Sequence, residues 1–336
     1  MKYLLLPFML IIAGSALPAQ PKSNSKPEPK PAVQWAIEPQ FKYVNDFSQG
    51  TAAVQSGETW GYINTAGAMV IAPRFYEAHP FYEGLAVFAQ DSSTYGYIDA
   101  TGAVVIPARF RSAARFSDGV AFVVGDDGWP CYINRYGQTV LTNRNAAGET
   151  VWDYGFEFAN GIAPVSSGGS YDAALQMTGG IYFFTTKFNT YPFFTGFYDD
   201  ALPFSDGLAP VLKGGFWGCI NAQGKVVVEH KFEEIRGYAG GYTVASLKSG
   251  DAVRWAILDA KGTIALELPR DREPWGGVHE GTVAIKVPGG KTGVVNLKGE
   301  WIVEPLFADI SAFHEGLAAA SLDGQTYGFI RVPVKK

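Results

Sequence analysis

The stretch Trp60-Gly61-Tyr62-Ile63-Asn64, followed by Gly67, Val70-Ile71, Pro73, Phe75, Phe81 and Gly84-Leu85-Ala86-Val87, occurs twice in succession. It returns as Tyr95-Gly96-Tyr97-Ile98-Asp99, Gly102, Val105-Ile106, Phe110, Phe116 and Gly119-Val120-Ala121, every landmark shifted by thirty-five residues. Self-similarity at such a period marks solenoids, propellers and arrays, in which a unit buries its apolar face only against its neighbours. No other property of the chain narrows its fold so far.

The physics of one unit is legible. Leu85-Ala86-Val87-Phe88, Gly96-Tyr97-Ile98-Asp99 and Val104-Val105-Ile106 are short runs of β-branched and aromatic residues between polar, Gly-bearing gaps. They predict three short strands joined by hairpins. Asn64-Thr65-Ala66-Gly67 predicts a tight turn whose Gly takes positive φ. Glu83, Asp118, Asp206 and Glu315, each before a Gly, predict a second turn. The P-x-F-x-x-A-x-x-F segment carries aromatics six residues apart, placed to plug the space between units.

The second-turn Gly recurs at Gly50, Gly84, Gly119, Gly161, Gly207, Gly241, Gly281 and Gly316. The Trp-Gly strand recurs at Trp60, Tyr95, the variant Cys131-Tyr132-Ile133-Asn134, Trp217, Trp255, Thr292 and Tyr327. A degenerate fourth unit falls between Gly161 and Gly207, with residues 181–184 as its strand. The third unit has Pro130 where Trp stands elsewhere, which predicts an edge strand or one that starts after the proline. An insert at 143–152 follows, so residues 143–197 form an irregular sector.

The two ends complete each other. The repeat opens in mid-unit at Ile37-Glu38-Pro39-Gln40-Phe41 and closes in mid-unit at Tyr327-Gly328-Phe329-Ile330. Joined, they make one unit, which removes the bare edges of an open array. The expectation is an all-β repeat protein of about eight three-stranded units, a propeller-like closed ring with a shared terminal unit. An open β-solenoid array, with polar caps at both ends, is the alternative.

Composition agrees with an aromatic-cored, turn-rich β protein: aromatics are 14%, charged residues only 18%, and 40 of 336 residues are Gly. A net charge of -5 without a Lys/Arg cluster argues against a nucleic-acid partner. Lys2, an apolar run over 3–13 and the small residues Gly14-Ser15-Ala16 and Ala19 predict a signal peptide over 1–19, cleaved near Ala16 or Ala19. The run is short for a membrane span, Pro18 follows it, and no Cys stands nearby to carry a lipid. No later stretch is long and apolar enough to span. Export to the periplasm or the extracellular space follows. Residues 20–34 are a Pro/Lys/Ser-rich spacer with almost nothing to bury, and 35–336 form the repeat domain. Cys131 and Cys219 stand in different units with a degenerate one between, so buried free thiols are expected rather than a bridge.

Candidate chemistry is thin. His79, His230, His279 and His314 read as standing at different repeat offsets, with ring closure able to bring His79 and His314 to one side. A metal or a base–nucleophile pair would need two of them on one site, and turn or solvated histidines are the simpler reading. Ser166-Ser167-Gly168-Gly169-Ser170 lacks a nucleophile elbow and reads as a loop. Gly125-Asp126-Asp127-Gly128 has too few acids for a calcium loop and reads as a hairpin turn. Gly289-Gly290-Lys291-Thr292 lacks the first Gly and the helix of a phosphate loop. The series Trp60, Tyr95, Trp217, Trp255 and Tyr327 reads as core, because aromatics bury large areas and the position recurs. The irregular sector is the better candidate for a binding surface, through Trp129, Trp152, Tyr154 and Tyr191, with Phe156 and Phe193 beside them.

The line W-G-Y/F-I-N/D-x-x-G-x-x-V-I-x-P-x-F-x-x-A-x-x-F-x-E/D-G-L-A-x-V resembles the bacterial WG-repeat proteins. The resemblance covers residues 35 to about 334, is strong over 60–124 and 204–245, and is weak over 143–197. It implies a repeat module of the non-enzymatic kind, often exported or fused to other domains, and supplies no catalytic residue or cofactor. The expected function is an exported, non-catalytic, monomeric scaffold that recognises a protein or peptide through its repeat loops. A carbohydrate or cell-wall binding module is the alternative. An enzyme comes third, since propellers can carry active sites at the axis.

Overall fold

The structure is a computed structural model, described for residues 34–145, 147–168, 170–171, 177–178, 180–187, 196–249 and 252–332. Residues 1–33, to which the expected signal peptide and most of the expected spacer belong, and Tyr191 and Phe193 lie outside these residues. Among the described residues the strands form eight antiparallel blades of a β-propeller, plus a two-stranded ribbon of Ser170–Tyr171 and Met177–Thr178.

Blade 2 shows the plan: Glu77–Ala78, Leu85–Ala89, Tyr95–Asp99 and Val104–Phe110, paired in chain order as a meander. Blades 3, 5, 6 and 7 repeat it over 112–142, 200–232, 234–267 and 273–307. Blade 1 has Thr51–Ser56, Thr59–Asn64 and Met69–Phe75, and the bonds Asn45 N to Ala53 O and Gln55 N to Tyr43 O, both 2.9 Å, stand in for its first strand. Blade 4 has Tyr154–Gly155, Ile162–Ser167 and Ile181–Thr186, with a bridge from Tyr182 to Tyr198 in the fourth position.

Blade 8 closes the ring. Asp309–Ile310, Leu317–Ser321 and Tyr327–Arg331 take Trp35–Phe41 as their fourth strand, with Ile37 opposite Phe329 and Phe41 opposite Tyr327. The shared terminal unit is therefore present and the open array is not. One expectation is corrected: the typical unit has four strands, not three. The extra strand is the two-residue segment before the second turn. Its backbone bonds reach the next unit, as in Tyr76 N to Ala89 O at 3.1 Å and His79 N to Val87 O at 3.0 Å. Two residues carry no readable alternation, so the segment passed for a linker. A second correction concerns Pro130–Asn134. It is neither an edge strand nor one that starts after the proline. It pairs on both sides, with Pro130 at its first position, where the missing N–H costs no central ladder bond.

The Trp-Gly dipeptide has a geometric cause. In blades 1, 2, 5, 7 and 8 the fourth strand is seven residues long and its register shifts opposite the glycine. The bulge pushes a carbonyl inward. A Cβ at Gly61, Gly96, Gly218 or Gly293 would stand 2.5–2.6 Å from the oxygen of Ile71, Ile106, Val228 or Val303. Blades 3 and 6 have fourth strands of four residues, and there Cys131 and Ala256 replace the glycine. Those two units have also lost the phenylalanine that ends the longer strand elsewhere, Phe41, Phe75, Phe110, Phe232 and Phe307.

Blades bury their faces on one another. The cluster of Leu85, Val87, Tyr97, Ile106 and Phe110 from blade 2 with Phe116, Ala121, Val123 and Ile133 from blade 3 is representative. Tyr62, Tyr97 and Tyr132 pack on Phe81, Phe116 and Phe158 of the next blade, all at 4.8 Å between ring centres. Their hydroxyls donate to the carbonyls of His79, Ala114 and Phe156 at 2.7–2.8 Å. Each aromatic pair adds about 0.5–1.5 kcal/mol beyond its burial. Between blades 5 and 6 the sizes exchange: Cys219 takes the tyrosine's place and Tyr238 the phenylalanine's, with sulfur and hydroxyl 3.8 Å apart. The half-buried Trp60, Tyr95, Trp217 and Trp255 pack against the margins of these clusters.

A second set of bonds runs round the ring at the second turns. Gln49, Glu83, Asp118, Asp206, Glu280 and Glu315 hold φ between +46° and +56°, a left-handed backbone that costs a non-Gly residue about 1–2 kcal/mol. Each side chain accepts the N–H of the next blade's turn glycine: Gly84, Gly119, Gly161, Gly241, Gly316 and, across the closure, Gly50, at 2.6–3.0 Å. For the five carboxylates a charge-assisted bond of about 1.5–3 kcal/mol offsets that cost, and the neutral Gln49 bond offsets about 0.5–1.5 kcal/mol of it.

Candidate functional site

The irregular sector builds a concave surface around Trp129. The turn Gly125-Asp126-Asp127-Gly128 links the second and third strands of blade 3, closed by Gly128 N to Gly125 O at 2.9 Å and Gly125 N to Trp129 O at 3.1 Å. The Asp127 carboxylate accepts the Trp129 N–H at 3.0 Å, so the acidic pair serves a turn. Trp129 emerges from it 46% exposed. The insert after blade 3 folds as a small hairpin, bridged between Arg144 and Thr150 and turned by Asn145, whose side chain accepts the N–H of Ala147 and Glu149 at 3.0 Å. It is pinned beneath by Asn143, whose amide donates to Trp152 O at 3.0 Å. This hairpin lays the Arg144 guanidinium over the Trp129 ring, 4.4 Å from its centre.

Two clefts flank the pair, of about 640 and 410 Å³, and share Trp129, Pro130 and Asn143. The larger is lined by Arg109, Asp126, Asp127 and Arg144, the smaller by Arg111, Asp153 and Tyr154. The rim thus carries both signs of charge around exposed aromatic surface. Tyr154 is half-buried, with its ring 4.7 Å from Phe122, and burial pushes its hydroxyl pKa up.

Trp152 is corrected. It has no exposed surface and packs between blades 3 and 4 on Tyr132 and Phe122, at 5.7 and 6.3 Å between ring centres. Its place at the end of an insert looked superficial in one dimension, but the insert folds its last residue inward. Trp129 and Tyr154 do come together at the smaller cleft, while Tyr191 lies outside the described residues. Arg144 was missed. A basic residue in an insert has no signal of its own until the insert is seen to return beside an exposed tryptophan.

The histidines are also corrected. His279 and His314 share one repeat offset, two residues before Gly281 and Gly316, and their rings stack at 4.1 Å. His79 instead pairs with Glu77 at 3.1 Å within blade 2. Ser166 is buried in a strand of blade 4, not displayed on a loop. Both cysteines are free: Cys131 half-buried, Cys219 buried with its thiol pushed up to about 12 by desolvation. Among the described residues no group of three or more His, Cys, Asp or Glu is arranged to hold a metal ion, and no helix is long and apolar enough to cross a membrane.

Among the described residues, six four-stranded and two three-stranded blades, closed by the pairing of Trp35–Phe41 with Tyr327–Arg331, define a β-propeller of sequence repeats. The family model described as the WG containing repeat matches residues 34–60, 60–92, 95–129, 198–215, 217–248 and 293–325, together just over half of the chain. The chain belongs to the WG-repeat family. The unmatched stretch 130–197 contains the irregular sector. No curated protein matches the chain. Among solved structures, the computationally designed protein Ika8 is similar at a TM-score of 0.52 and 12% identity, over 89% of this chain and 97% of that one. BamB from Moraxella catarrhalis gives 0.46 and 13%, over 89% and 99%. A dipeptidyl peptidase 4 from Porphyromonas gingivalis gives 0.49 and 10%, over 90% and 60%. At these identities the likeness concerns the fold alone.

Proposed function

We propose that this WG-repeat propeller is an exported, non-catalytic scaffold that binds a protein or peptide partner at the Trp129 clefts. The observation that carries the reading is Trp129 itself: a half-exposed indole, braced by Arg144 from the insert after blade 3 and set between two concave surfaces. Tryptophan, tyrosine and arginine are the residue types that dominate binding hot spots. A rim with Arg109, Arg111, Asp126 and Asp153 suits a chain that presents backbone polar groups and both signs of charge. Burial keeps Ser166 and Cys219 from a substrate, and it pushes up the thiol of Cys131 at the larger cleft, which supports the non-catalytic reading. The N-terminal pattern of residues 1–19 supports export.

The test uses protein recovered from the periplasmic or culture fraction, with its N-terminus read by mass spectrometry. A random-peptide display library is selected against it and the affinities of selected peptides are measured. The expected result is a mature start near residue 17 or 20, and peptides whose affinity falls roughly tenfold or more with Trp129→Ala. Peptides indifferent to that substitution would overturn the site. Retention on peptidoglycan that Trp129→Ala abolishes would replace the peptide partner with a glycan. Recovery of unprocessed chain in the cytoplasm would end the export reading.

A further inference from the structure

The smaller of the two Trp129 clefts, about 410 Å³, lies towards the low end of the range for ligand pockets, about 300–1,000 Å³. Its walls include the apolar surfaces of Val124, Trp129, Pro130 and Tyr154. Among them stands a side chain of another kind, Asn143, only 2% exposed and shared by both clefts. On the reading that the clefts bind a peptide, we propose that the smaller one recognises a single residue of the partner: a bulky apolar side chain fills it, and the backbone N–H of that same residue donates to Asn143 Oδ1.

Asn143 is clamped across the neck of the insert. Its backbone carbonyl accepts the Val151 N–H at 2.8 Å, and its side-chain amide donates to Trp152 O at 3.0 Å. A carbonyl only accepts, so the amide nitrogen must face Trp152 and the oxygen is turned away from it. Among the described residues nothing donates to that oxygen. Buried polar groups are as a rule paired, and an acceptor already fixed by its own nitrogen loses little freedom when a donor arrives. The charged groups of the lining are engaged elsewhere. The Arg111 guanidinium donates to Asp126 O, and the Asp153 carboxylate accepts the Gly168 N–H at 2.8 Å. Ser112 adds a hydroxyl that can turn to serve either way. An apolar chamber whose fixed polar group is an acceptor selects a neutral group that brings its own donor. Every peptide residue except proline brings one N–H.

The larger cleft suits the anchor less well, because Arg109, Asp126, Asp127 and Arg144 line it. Arg144 borders that cleft and not the smaller one, so the indole surface left bare of the guanidinium belongs to the smaller. A sugar ring fits less well too. Its many hydroxyls need many polar partners, and the smaller cleft holds a fixed acceptor among apolar walls. The anchor residue therefore sits on one side of the wall made by Trp129 and Arg144, and the polar flank of the partner lies on the other.

The experiment starts from peptides selected from a random display library against the full chain and shown to lose affinity with Trp129→Ala. They are expected to share one Leu, Ile, Met or Phe whose replacement by Ala lowers affinity roughly tenfold. N-methylation is then walked along one such peptide. At the anchor amide it should cost roughly tenfold, because it removes the N–H and leaves Oδ1 unpaired. In Asn143→Ala, its fold checked by the urea midpoint, the same methylation should cost less than about threefold. Ser112→Leu, which narrows the smaller cleft, should lower affinity roughly tenfold. Should Asn143→Ala unfold, the methylation scan on the wild type and Ser112→Leu decide. Trp129-dependent peptides without a shared bulky apolar residue would overturn the assignment and leave the peptide reading standing. So would an anchor methylation that costs no more than its neighbours or costs the same in Asn143→Ala, or affinity unchanged by Ser112→Leu. Failure to select any Trp129-dependent peptide would end both.

Discussion

Replacing Gly96 with alanine tests whether the Trp-Gly dipeptide exists to admit the bulged fourth strand. A Cβ at position 96 would lie 2.6 Å from Ile106 O, 2.7 Å from Ala108 N and 2.9 Å from Ala108 Cα. All three are backbone atoms of the paired strand, so no side-chain rotation relieves the contact. Ordinary contact begins at about 3.4 Å, so the strands must part by about 0.8 Å at that point. Overpacking of this kind costs about 1–3 kcal/mol, and a buried backbone bond left unmade adds about 1–3 more. Removing a glycine gives back about 0.5–1 kcal/mol through the entropy of the unfolded chain. The net is a loss of roughly 2–4 kcal/mol. At about 2.1 cal/mol/K per residue over roughly 300 residues, 3 kcal/mol lowers Tm by about 5 °C. Calorimetry and urea unfolding read both numbers. The control is Ala256→Gly, the same repeat position in blade 6 beside its four-residue fourth strand. It should cost only about 1–2 kcal/mol, from backbone entropy and the buried methyl it removes. A Gly96→Ala protein within about 0.5 kcal/mol of wild type would refute the bulge as the reason for the glycine.

Two further outcomes follow from buried titratable groups. Ellman titration of the native protein should find Cys131, half-buried with its thiol pushed up by desolvation, reacting slowly and Cys219 silent until denaturant is added, because desolvation pushes the Cys219 thiol up to about 12; rapid reaction of two thiols in the folded state would contradict the burial. Stability should fall as pH drops from about 7 to 5, because His79 and His279 are both held below the histidine norm by burial. A depressed histidine leaves the folded state with fewer bound protons than the unfolded one, so its contribution is complete above about pH 6.5 and is lost below it. Asp99, Asp259 and Asp323 are held low by turn hydrogen bonds and act only below about pH 4. The urea midpoint measured at pH 7.5, 6 and 5 checks the sign, and a flat or rising profile would contradict it.

The legible features were the local ones. Asn64 and Asp99 announce turns because one side chain satisfies two N–H groups within four residues, an arrangement seen at 2.9–3.0 Å in both. Closure was legible because Trp35–Phe41 and Tyr327–Arg331 are complementary fragments of one pattern. The two-residue first strand was not legible, since its partners belong to the next unit. Trp129 was singled out because it breaks the pattern, yet the same argument also selected Trp152, which the fold turns into the core. Breaking a pattern marks a residue as different without saying which way it faces.

Period, turn glycines and strand alternation were determined by the chain alone, because each depends on residues within a few positions of one another. The tertiary structure decided what meets across the seams. It set His279 against His314, brought Asp46 of the first blade to a cavity of the last two, and laid Arg144 on Trp129. Of these, the meeting of Asp46 with the last two blades needs the ring to close, while His279 and His314 stand one repeat apart and Arg144 returns from the neighbouring insert. Only then does the curvature of the ring choose which side chains share a wall.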